Sequence, residues 1–344
     1  GENEDGLPGE GKTVQAALSA SELDKFQTEI YLLALRELGY ETKPSVTLTL
    51  PEHYEALASG KMDFWTDGRF CVKGSLRGCT DDHQNYLSNV NEGSQGAQRV
   101  GYLAERGALQ GYLIDKKSAD EHNITNISDF KKPEIASLFD GNGDGKADMV
   151  GCPQNGPVTT CQQTIDHHMD AYELIGSINV IHGNYNAAMQ DIVARYQQGK
   201  PVFFYTWTPN WTVAKLRPGK DVIWLEVPFG TLPGPGGIDP VEELVGCAND
   251  PCLLGFPAND IRPVANMQFM RENSNVRRLF QSLTIPEQDI SDQQAKMLDG
   301  ENSDVDISRH AKEWIQANQA EFDTLLQEAL EKRTTMRTSR SPNS

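Results

Sequence analysis

The sequence predicts an α/β protein with mostly parallel sheets, and three observations support this fold class. Strand-like and helix-like segments alternate along the chain, which is typical of helices packed on parallel sheets. The chain has 344 residues, of which 38% are hydrophobic, so it is long enough for two domains. No stretch approaches the roughly 20 consecutive apolar residues that a membrane-spanning helix needs.

The first elements follow a βαβα order. A strand is predicted over 12–18, and a helix with an apolar face at helical spacing begins at Ser21 and ends at Gly39. A strand over 46–50, a short helix over 51–58 and a strand over 63–65 follow. Further strands are predicted over 108–115, 201–205, 221–227 and 261–266, and further helices over 133–139, 162–174, 185–198 and 303–332. The Pro- and Gly-rich segment 228–240 is expected to be a crossover or loop.

The net charge of −18 is spread along the chain. Phosphate recognition needs clustered Lys and Arg, so this charge argues against nucleic-acid partners. The two ends are polar and poor in apolar residues. We therefore expect a flexible leader over 1–11 and a flexible tail over 333–344.

The six cysteines fall into three close pairs. Other pairings are possible in principle, but the local one is the simplest, and each such bridge stabilises by about 2–3 kcal/mol in the chain-entropy model. The expected disulfides are Cys71–Cys79, Cys152–Cys161 and Cys247–Cys252. They indicate an oxidising compartment and a mature exported chain whose signal peptide has been removed. The alternative is six buried thiols in a cytosolic protein.

An acidic loop matches the first half of a calcium-binding loop. Gly145 stands at the sharp turn, whereas Gly151 occupies the twelfth position, where a complete EF-hand has a bidentate Glu. The candidate ligands of a structural Ca²⁺ are Asp140, Asn142, Asp144, the carbonyl of Lys146, and Asp148. The alternative is an Asp/Asn/Gly turn that needs no metal.

The segment 199–211, GKPVFFYTWTPNW, predicts a buried strand that ends in a loop carrying Trp207 and Trp211. Ligands of open α/β sheets bind at the carboxyl ends of strands, and an indole there can hold a cation on its ring face. The alternative is that both indoles pack in a core. The sequence shows no GxSxG or HExxH motif and no nucleophile–base pair that indicates an enzyme.

Several segments resemble the glycine betaine/proline betaine-binding proteins of ABC import systems. The longest is GNYNAAMQDIVARYQQGKPVFFYTWTPNW at 183–211, and the segments 111–120, 124–152 and 216–229 add to it. The resemblance covers about 12–332. It implies the two-lobed type II periplasmic-binding-protein fold, in which each lobe is a mostly parallel sheet flanked by helices and the ligand lies in the cleft. Lobe 1 would comprise 12–109 and 229–332, and lobe 2 would comprise 110–228.

Members of this family surround a quaternary ammonium with tryptophans, and this chain keeps only part of that arrangement. Trp207 matches the tryptophan of the TWTP segment. A second family tryptophan lies in the loop that Cys152 and Cys161 would close, where this chain has no aromatic residue, and the alignment puts Arg69 at the third. The resemblance implies an altered aromatic cage, a cation for a carboxylate or sulfonate, and a backbone N–H donor. The candidate ligand residues are Trp65, Arg69, Phe70, Gly156, Tyr205, Trp207 and Trp211.

Two hypotheses about function follow. The first is a monomeric periplasmic or extracytoplasmic solute-binding protein, not an enzyme, that delivers a methylated osmolyte to a membrane permease. Its ligand would resemble glycine betaine, trimethylamine N-oxide or dimethylsulfoniopropionate. The second is a secreted, calcium-stabilised hydrolase on a similar two-lobe scaffold.

Overall fold

A computed structural model of the protein describes residues 6–72, 82–93, 95–154 and 160–331. The first elements are β1 (Thr13–Val14), β2 (Ala17–Ser19), α1 (Lys25–Glu37), β3 (Glu41–Thr42), β4 (Val46–Leu48), α2 (Leu50–Ala58), β5 (Phe64–Cys71), α3 (Asp82–Val90), β6 (Ala97–Arg99) and β7 (Ala104–Ala108). The middle of the chain forms β8 (Gln110–Asp115), α4 (Lys116–His122), α5 (Pro133–Ala136), β9 (Ala147–Pro153), α6 (Thr160–Ala171), β10 (Ile178–Gly183), α7 (Tyr185–Gln197), β11 (Phe203–Trp207), α8 (Trp211–Lys215) and β12 (Val222–Leu225). The last elements are β13 (Asn259–Asn266), α9 (Met267–Glu272), α10 (Ser274–Ser282), α11 (Glu287–Leu298), α12 (Asp304–Ala317) and α13 (Gln319–Leu330). Across these described ranges, no helix is both long enough and apolar enough to cross a bilayer.

The strands form two main sheets. The five-stranded sheet has the order β10-β9-β11-β8-β12, in which β9 pairs parallel with β10 and β11 while β8 pairs antiparallel with β11 and β12. In the four-stranded sheet, β13 pairs antiparallel with β5, β6 and β7. The α/β class is confirmed. Parallel pairing does not predominate around β13. The chain enters the four-stranded sheet there on its return from the five-stranded sheet, so β13 runs in the opposite direction to β5, β6 and β7.

Two separate hydrophobic cores divide the molecule into two lobes. Lobe 1 is built on the four-stranded sheet, and its core includes Phe26 and Phe280. Lobe 2 is built on the five-stranded sheet, and its core includes Tyr112 and Phe203. A smaller core between α2, α3 and β5 also belongs to lobe 1. Each lobe thus has a sheet and a core of its own, as the predicted two-lobed fold requires.

The chain remains on lobe 2 for some distance after β12. The Val227 N–H donates to the Leu253 carbonyl at 3.0 Å, and the ring of Phe256 lies 5.6 Å from that of Tyr112. The chain reaches lobe 1 only at β13. The expected range 110–228 for lobe 2 therefore omits a segment that packs in the lobe 2 core, and the expected range 229–332 for lobe 1 begins too early.

The expectation for the N-terminal leader also needs a correction. Within the range 1–11, the structure describes residues 6–11, and the buried Gly9 donates its N–H to the Leu38 carbonyl at 2.9 Å. A Cβ at Gly9 would lie 2.3 Å from the Tyr40 ring, so this part of the leader is packed against the end of α1. The expected tail, 333–344, lies outside the described residues.

The helix expected from Ser21 begins later, at Lys25. The reason is Asp24, whose carboxylate accepts the Ser19 N–H at 2.9 Å and closes a turn instead of capping the helix. This turn lies where β2 ends and α1 begins. Its position matters because Asp24 also contacts the strand that carries Trp65 and Arg69.

Candidate ligand site between the lobes

A cavity of about 450 Å³ lies between the two lobes. Lobe 1 contributes residues 21–23 and 25, α11 and the turn after it contribute Gln294, Met297, Leu298 and Asn302, and the remaining wall comes from lobe 2. The lobe 2 wall includes Asn184, Tyr185, Trp207, Asn210 and Trp211. A larger cavity of about 690 Å³ lies on lobe 2 alone, between the acidic loop and α7. The smaller cavity is the candidate ligand site, because two lobes that close on a ligand must both contact it.

Trp207 reaches this cavity because it is the last residue of β11. The strand lies between β9 and β8 in the middle of its sheet, and its other residues are buried. Just beyond it, the Thr208 N–H donates to the Leu109 carbonyl at 2.9 Å, and the Thr208 hydroxyl donates to the Gly107 carbonyl at 2.7 Å. These bonds fix the point at which the chain leaves the sheet, so the indole is presented from a rigid support.

Tyr185 packs directly against Trp207. The two ring centroids lie 4.8 Å apart, and the Tyr185 hydroxyl donates to the Tyr205 carbonyl at 3.0 Å. Burial raises the pKa of Tyr185, so the phenol stays neutral and serves as an aromatic support. The side chain of Tyr205 is also buried, and its hydroxyl donates to the Gln110 side chain at 2.6 Å. Tyr205 therefore stands behind the cavity wall.

Trp211 occupies the first turn of α8 and lines the same cavity. Asn210 caps this helix by accepting the Thr212 N–H at 3.0 Å. The Trp211 indole is 7% exposed, and its Nε1 donates to Asn186 at 3.0 Å. Trp207 and Trp211 are thus brought together on one wall, but only an edge of Trp211 reaches the cavity.

The structure does not place Trp65 in a ligand cage. Its side chain is 3% exposed, and the imidazole of His53 lies nearly parallel to the indole, with ring centroids 4.0 Å apart. The Trp65 Nε1 donates to Asp24 at 3.0 Å. Burial, together with the charge of Asp67, raises the pKa of Asp24 to about 6, while the bonds from Ser19 and Trp65 oppose that increase. Trp65 is therefore part of a buried network, and the expectation that it lines the site is corrected.

The expectation that Phe70 lines the ligand site is also wrong, because this side chain is buried as well. Its ring is fully buried in the smaller core of lobe 1, and the guanidinium carbon of Arg99 lies 5.0 Å from its centroid. The register of β5 against β13 shifts between Trp65 and Gly68, where β5 carries one extra residue. Such a bulge redirects the side chains on either side of it.

Arg69 follows this bulge and keeps a partly exposed side chain. Its guanidinium lies 3.4 Å from the Asp67 carboxylate, and its backbone N–H donates to the His83 Nδ1 at 3.2 Å. The positive charge of Arg69 also opposes the large increase that burial causes in the pKa of Tyr205. Arg69 thus lies near Tyr205 of lobe 2, but it does not line the cavity of about 450 Å³. Burial and the charge of Arg69 lower the pKa of His83 to about 3, so this imidazole is neutral.

Two of the expected disulfides are present. Cys152–Cys161 joins the end of β9 to α6 and closes the loop that follows Pro153, a residue that lines the cavity. Cys247–Cys252 closes a loop in the segment after β12. Cys71 is also disulfide-bonded, but its expected partner Cys79 lies outside the described residues, as does the candidate donor Gly156.

The acidic loop is folded around backbone hydrogen bonds. The Asp140 carboxylate accepts the Gly145 N–H at 2.7 Å, and Asp148 accepts the Gly141 N–H at 2.9 Å. Asn142 accepts the Asp144 N–H at 2.9 Å, and the ammonium of Lys146 contacts the Ile175 carbonyl at 3.2 Å. Among the described residues, the one group of three ligand atoms from His, Cys, Asp or Glu within 4.8 Å of one another is Glu226, Cys247 and Cys252. No three carboxylates of the acidic loop come that close together, but Asp144 and Asp148 both accept from the Asn179 side-chain nitrogen, at 2.8 and 3.2 Å.

The prediction from sequence missed several residues of the site. Tyr185 stands in the longest segment that carried the family resemblance, but nothing in its own pattern marked it as the support of Trp207. Asp67 is two residues before Arg69, a spacing that puts both on one side of a strand. This spacing could have predicted the contact between Asp67 and Arg69.

Comparison with known proteins gives a consistent result. The family profile described as the substrate-binding domain of ABC-type glycine betaine transport systems matches residues 12–317. A glycine betaine/proline betaine-binding periplasmic protein of Escherichia coli K12 is 41% identical, over 94% of this chain and 92% of the relative. A protein of the same description from Salmonella typhimurium LT2 is 40% identical over the same shares.

Solved structures agree on the fold. A lactococcal glycine betaine-binding protein in its closed, liganded conformation superposes with a TM-score of 0.55 at 15% identity, covering 92% of this chain and 99% of that one. A glycine betaine/carnitine/choline ABC transporter structure gives a TM-score of 0.57 at 10% identity, covering 90% and 98%. These similarities confirm the two-lobed binding-protein fold.

Proposed function

Because this chain belongs to the family of substrate-binding domains of ABC-type glycine betaine transport systems, we propose that it captures a small methylated osmolyte between its lobes and delivers it, as a monomer, to the permease of an ABC importer. The curated relatives are described as periplasmic binding proteins, and the disulfides fit an oxidising compartment. The alternative of a calcium-stabilised hydrolase finds no support in those relatives.

The observation that carries this proposal is the position of Trp207. Its indole stands at the carboxyl end of a central strand, faces a cavity that both lobes line, and packs against Tyr185, which lines the same cavity. A fully methylated ammonium has no N–H to donate, so contact with an aromatic face is the main polar interaction left to it. The cavity volume of about 450 Å³ is within the range of small-molecule sites.

Arg69 leads us to propose that the ligand also carries an anionic group. It stands where the resemblance puts a tryptophan, and its guanidinium is partly exposed beside Asp67. A guanidinium favours a carboxylate or sulfonate, with which it can form two parallel hydrogen bonds. We therefore expect glycine betaine or dimethylsulfoniopropionate, which carry a carboxylate, to be preferred over choline and trimethylamine N-oxide, which do not.

A thermal-shift screen tests this function. It would compare glycine betaine, proline betaine, choline, trimethylamine N-oxide and dimethylsulfoniopropionate on the purified chain. A ligand at 100 times its Kd adds about 2.7 kcal/mol of stability, so true ligands raise the melting temperature clearly. Arg69→Gln should weaken the carboxylate-bearing ligands and leave choline unchanged. No shift with any of the five compounds would contradict the proposal.

We further propose that the acidic loop binds a structural Ca²⁺. The support is its chemistry, since Asp140, Asn142, Asp144 and Asp148 offer the hard oxygens that Ca²⁺ prefers. Gly145 turns the chain with φ at 84°, a conformation that favours glycine. Binding would draw the carboxylates together and replace some of the hydrogen bonds that they now accept from the backbone.

A further inference from the structure

The loop that presents Trp207 and Trp211 is anchored by a helix that belongs to neither lobe alone. α11 packs Ile290 into the lobe 1 core and Ala295 into the lobe 2 core. Gln294, on the same helix, lines the candidate ligand cavity. α11 therefore contacts the loop and both lobes, so its position affects how the loop and the two lobes are placed relative to one another.

The anchor is a chain of two hydrogen bonds. The Asn210 N–H donates to the Ser291 hydroxyl oxygen at 3.0 Å, and the Ser291 hydroxyl in turn donates to the Glu287 carboxylate, one helical turn earlier. Ser291 is fully buried and Asn210 is 3% exposed, so water does not compete for the first bond. Because Pro209 has no N–H, the Asn210 N–H is the first backbone donor of the loop after Thr208.

Glu287 sets the direction of the Ser291 hydroxyl. A hydroxyl has one hydrogen to donate, and donating it to Glu287 leaves an oxygen lone pair for the Asn210 N–H. Burial raises the pKa of Glu287 to about 7, the charges of Asp292 and Asp289 add to this increase, and the bond from Ser291 opposes it. In its ionised form the carboxylate can only accept, which makes the Ser291 hydroxyl the donor of their hydrogen bond.

Other polar contacts join the α8 segment to α11: the Gln288 side chain donates to the Val213 carbonyl at 3.4 Å, and two partly exposed ion pairs add to this bond. Arg217 contacts Asp292 at 2.8 Å, and Lys215 contacts Asp299 at 2.6 Å. Exposed pairs of this kind contribute little free energy, typically about 0–1 kcal/mol. Among these polar contacts, the bond at Ser291 is the one whose donor and acceptor residues are both buried, so it gives the loop a defined backbone contact that water does not reach.

We propose that Ser291 is a positioning residue for ligand capture, which fixes Asn210 and through it the loop that carries the two tryptophans, and that Glu287 orients its hydroxyl. This inference rests on the proposed function, since it concerns the same cavity. Asn210 and Trp211 both line that cavity, so a shift of the Asn210 backbone displaces the aromatic wall directly.

Calorimetric titration with glycine betaine tests the effect on binding. Ser291→Ala should weaken binding about tenfold, because it leaves a buried N–H without an acceptor. Gln293→Ala is the matched control: it removes a buried hydrogen bond of α11, but one that runs to His310 within lobe 1, at 3.0 Å. It should leave the affinity within about twofold. Glu287→Gln keeps an acceptor and should bind like the wild type, whereas Glu287→Leu should bind as weakly as Ser291→Ala.

Amide exchange of the protein without ligand gives a readout that does not depend on the proposed function. In Ser291→Ala, the Asn210 amide should exchange about tenfold faster, whereas Gln293→Ala should leave it unchanged. Unchanged exchange at Asn210, or equal losses of affinity in both variants, would overturn the inference. A wild type that binds no methylated compound but shows the expected exchange would refute the proposed function alone. If Ser291→Ala does not fold, equal affinities of Glu287→Gln and Glu287→Leu would overturn the inference instead.

Discussion

The phenol ring of Tyr185 lies 4.8 Å from the indole of Trp207, and the Tyr185 hydroxyl is held by the carbonyl of Tyr205 at 3.0 Å. The two rings come from different elements, since Tyr185 begins α7 and Trp207 ends β11. Both rings line the cavity, so the aromatic wall consists of two rings in contact. The Tyr185 ring is fixed by the backbone of the strand that presents Trp207.

This arrangement predicts different effects for two substitutions of Tyr185. Tyr185→Leu removes the ring that packs against Trp207, and we expect about tenfold weaker binding of glycine betaine, because an aromatic pair contributes about 0.5–1.5 kcal/mol beyond its buried area. Tyr185→Phe keeps the ring and loses only the hydroxyl contacts, so its affinity should remain closer to that of the wild type. Calorimetric titration of both variants checks this, and equal affinities would contradict a supporting role for the ring.

Trp65 should act on stability and not on binding. Trp65→Phe removes the Nε1 donor of the buried Asp24 carboxylate and should lower the free energy of unfolding by about 1.5–3 kcal/mol. Glycine betaine affinity at a temperature where the variant is folded should change less than about twofold. Urea unfolding combined with titration separates the two quantities. A large loss of affinity without a loss of stability would return Trp65 to the ligand site.

The stability of lobe 2 should fall in weak acid because of His168. This imidazole accepts the Tyr112 hydroxyl at 2.6 Å on one nitrogen and contacts the Thr231 carbonyl at 3.0 Å with the other, and burial lowers its pKa to about 4. The ordinary pKa of histidine is about 6.5, so between these values the unfolded chain binds more protons than the folded one. The contribution of His168 is therefore complete above pH 6.5 and is lost as the pH falls towards 4.

Urea unfolding at several pH values measures this contribution. Linkage gives a loss of about 2 kcal/mol from His168 between pH 8 and pH 5. His168→Phe removes the titrating group, so the difference in unfolding free energy between wild type and variant should narrow or reverse over this range. A difference that stays constant from pH 8 to pH 5 would show that His168 is not protonated on unfolding.

Calcium should stabilise the acidic loop. Added Ca²⁺ should raise the melting temperature, and a chelator should reverse the effect, because a metal that binds only the folded state stabilises it. The double variant Asp140→Asn, Asp144→Asn should lose this response, whereas Asp323→Asn, an exposed carboxylate of α13 on lobe 1, should keep it. A melting temperature that is unaffected by Ca²⁺ in the wild type would leave the loop as a turn held by its own hydrogen bonds.

Local patterns predicted much of this structure from the sequence. The strand and loop of TWTPNW, the close cysteine pairs and the alternation of helices and strands all depend on residues near one another in the chain. Trp65 was in the predicted strand as well, yet its surroundings were not predictable. Its neighbours His53 and His83 come from two different helices, and a bulge in β5 follows it directly.

The role of Ser291 could not be predicted from the sequence either, because its partner is also distant in the chain. In the sequence it is one small polar residue within an amphipathic helix, which is typical of a solvated position. Only the packing of α11 against both lobes buries it and brings it to Asn210, far away in the chain. Contacts of this kind depend on the assembled fold, so no local pattern could indicate them.

The central claim is that an aromatic wall at Trp207 binds a methylated cation, and a comparison of glycine betaine with a carbon isostere that lacks the positive charge tests it most directly. In 3,3-dimethylbutanoate a quaternary carbon replaces the ammonium nitrogen, while the shape and the carboxylate are kept. Calorimetric titration should show glycine betaine binding at least about thirtyfold more tightly, since a desolvated cation–π contact contributes about 2 kcal/mol. Trp207→Ala should remove most of that difference. Equal binding of the two compounds, or no binding of glycine betaine, would contradict the claim.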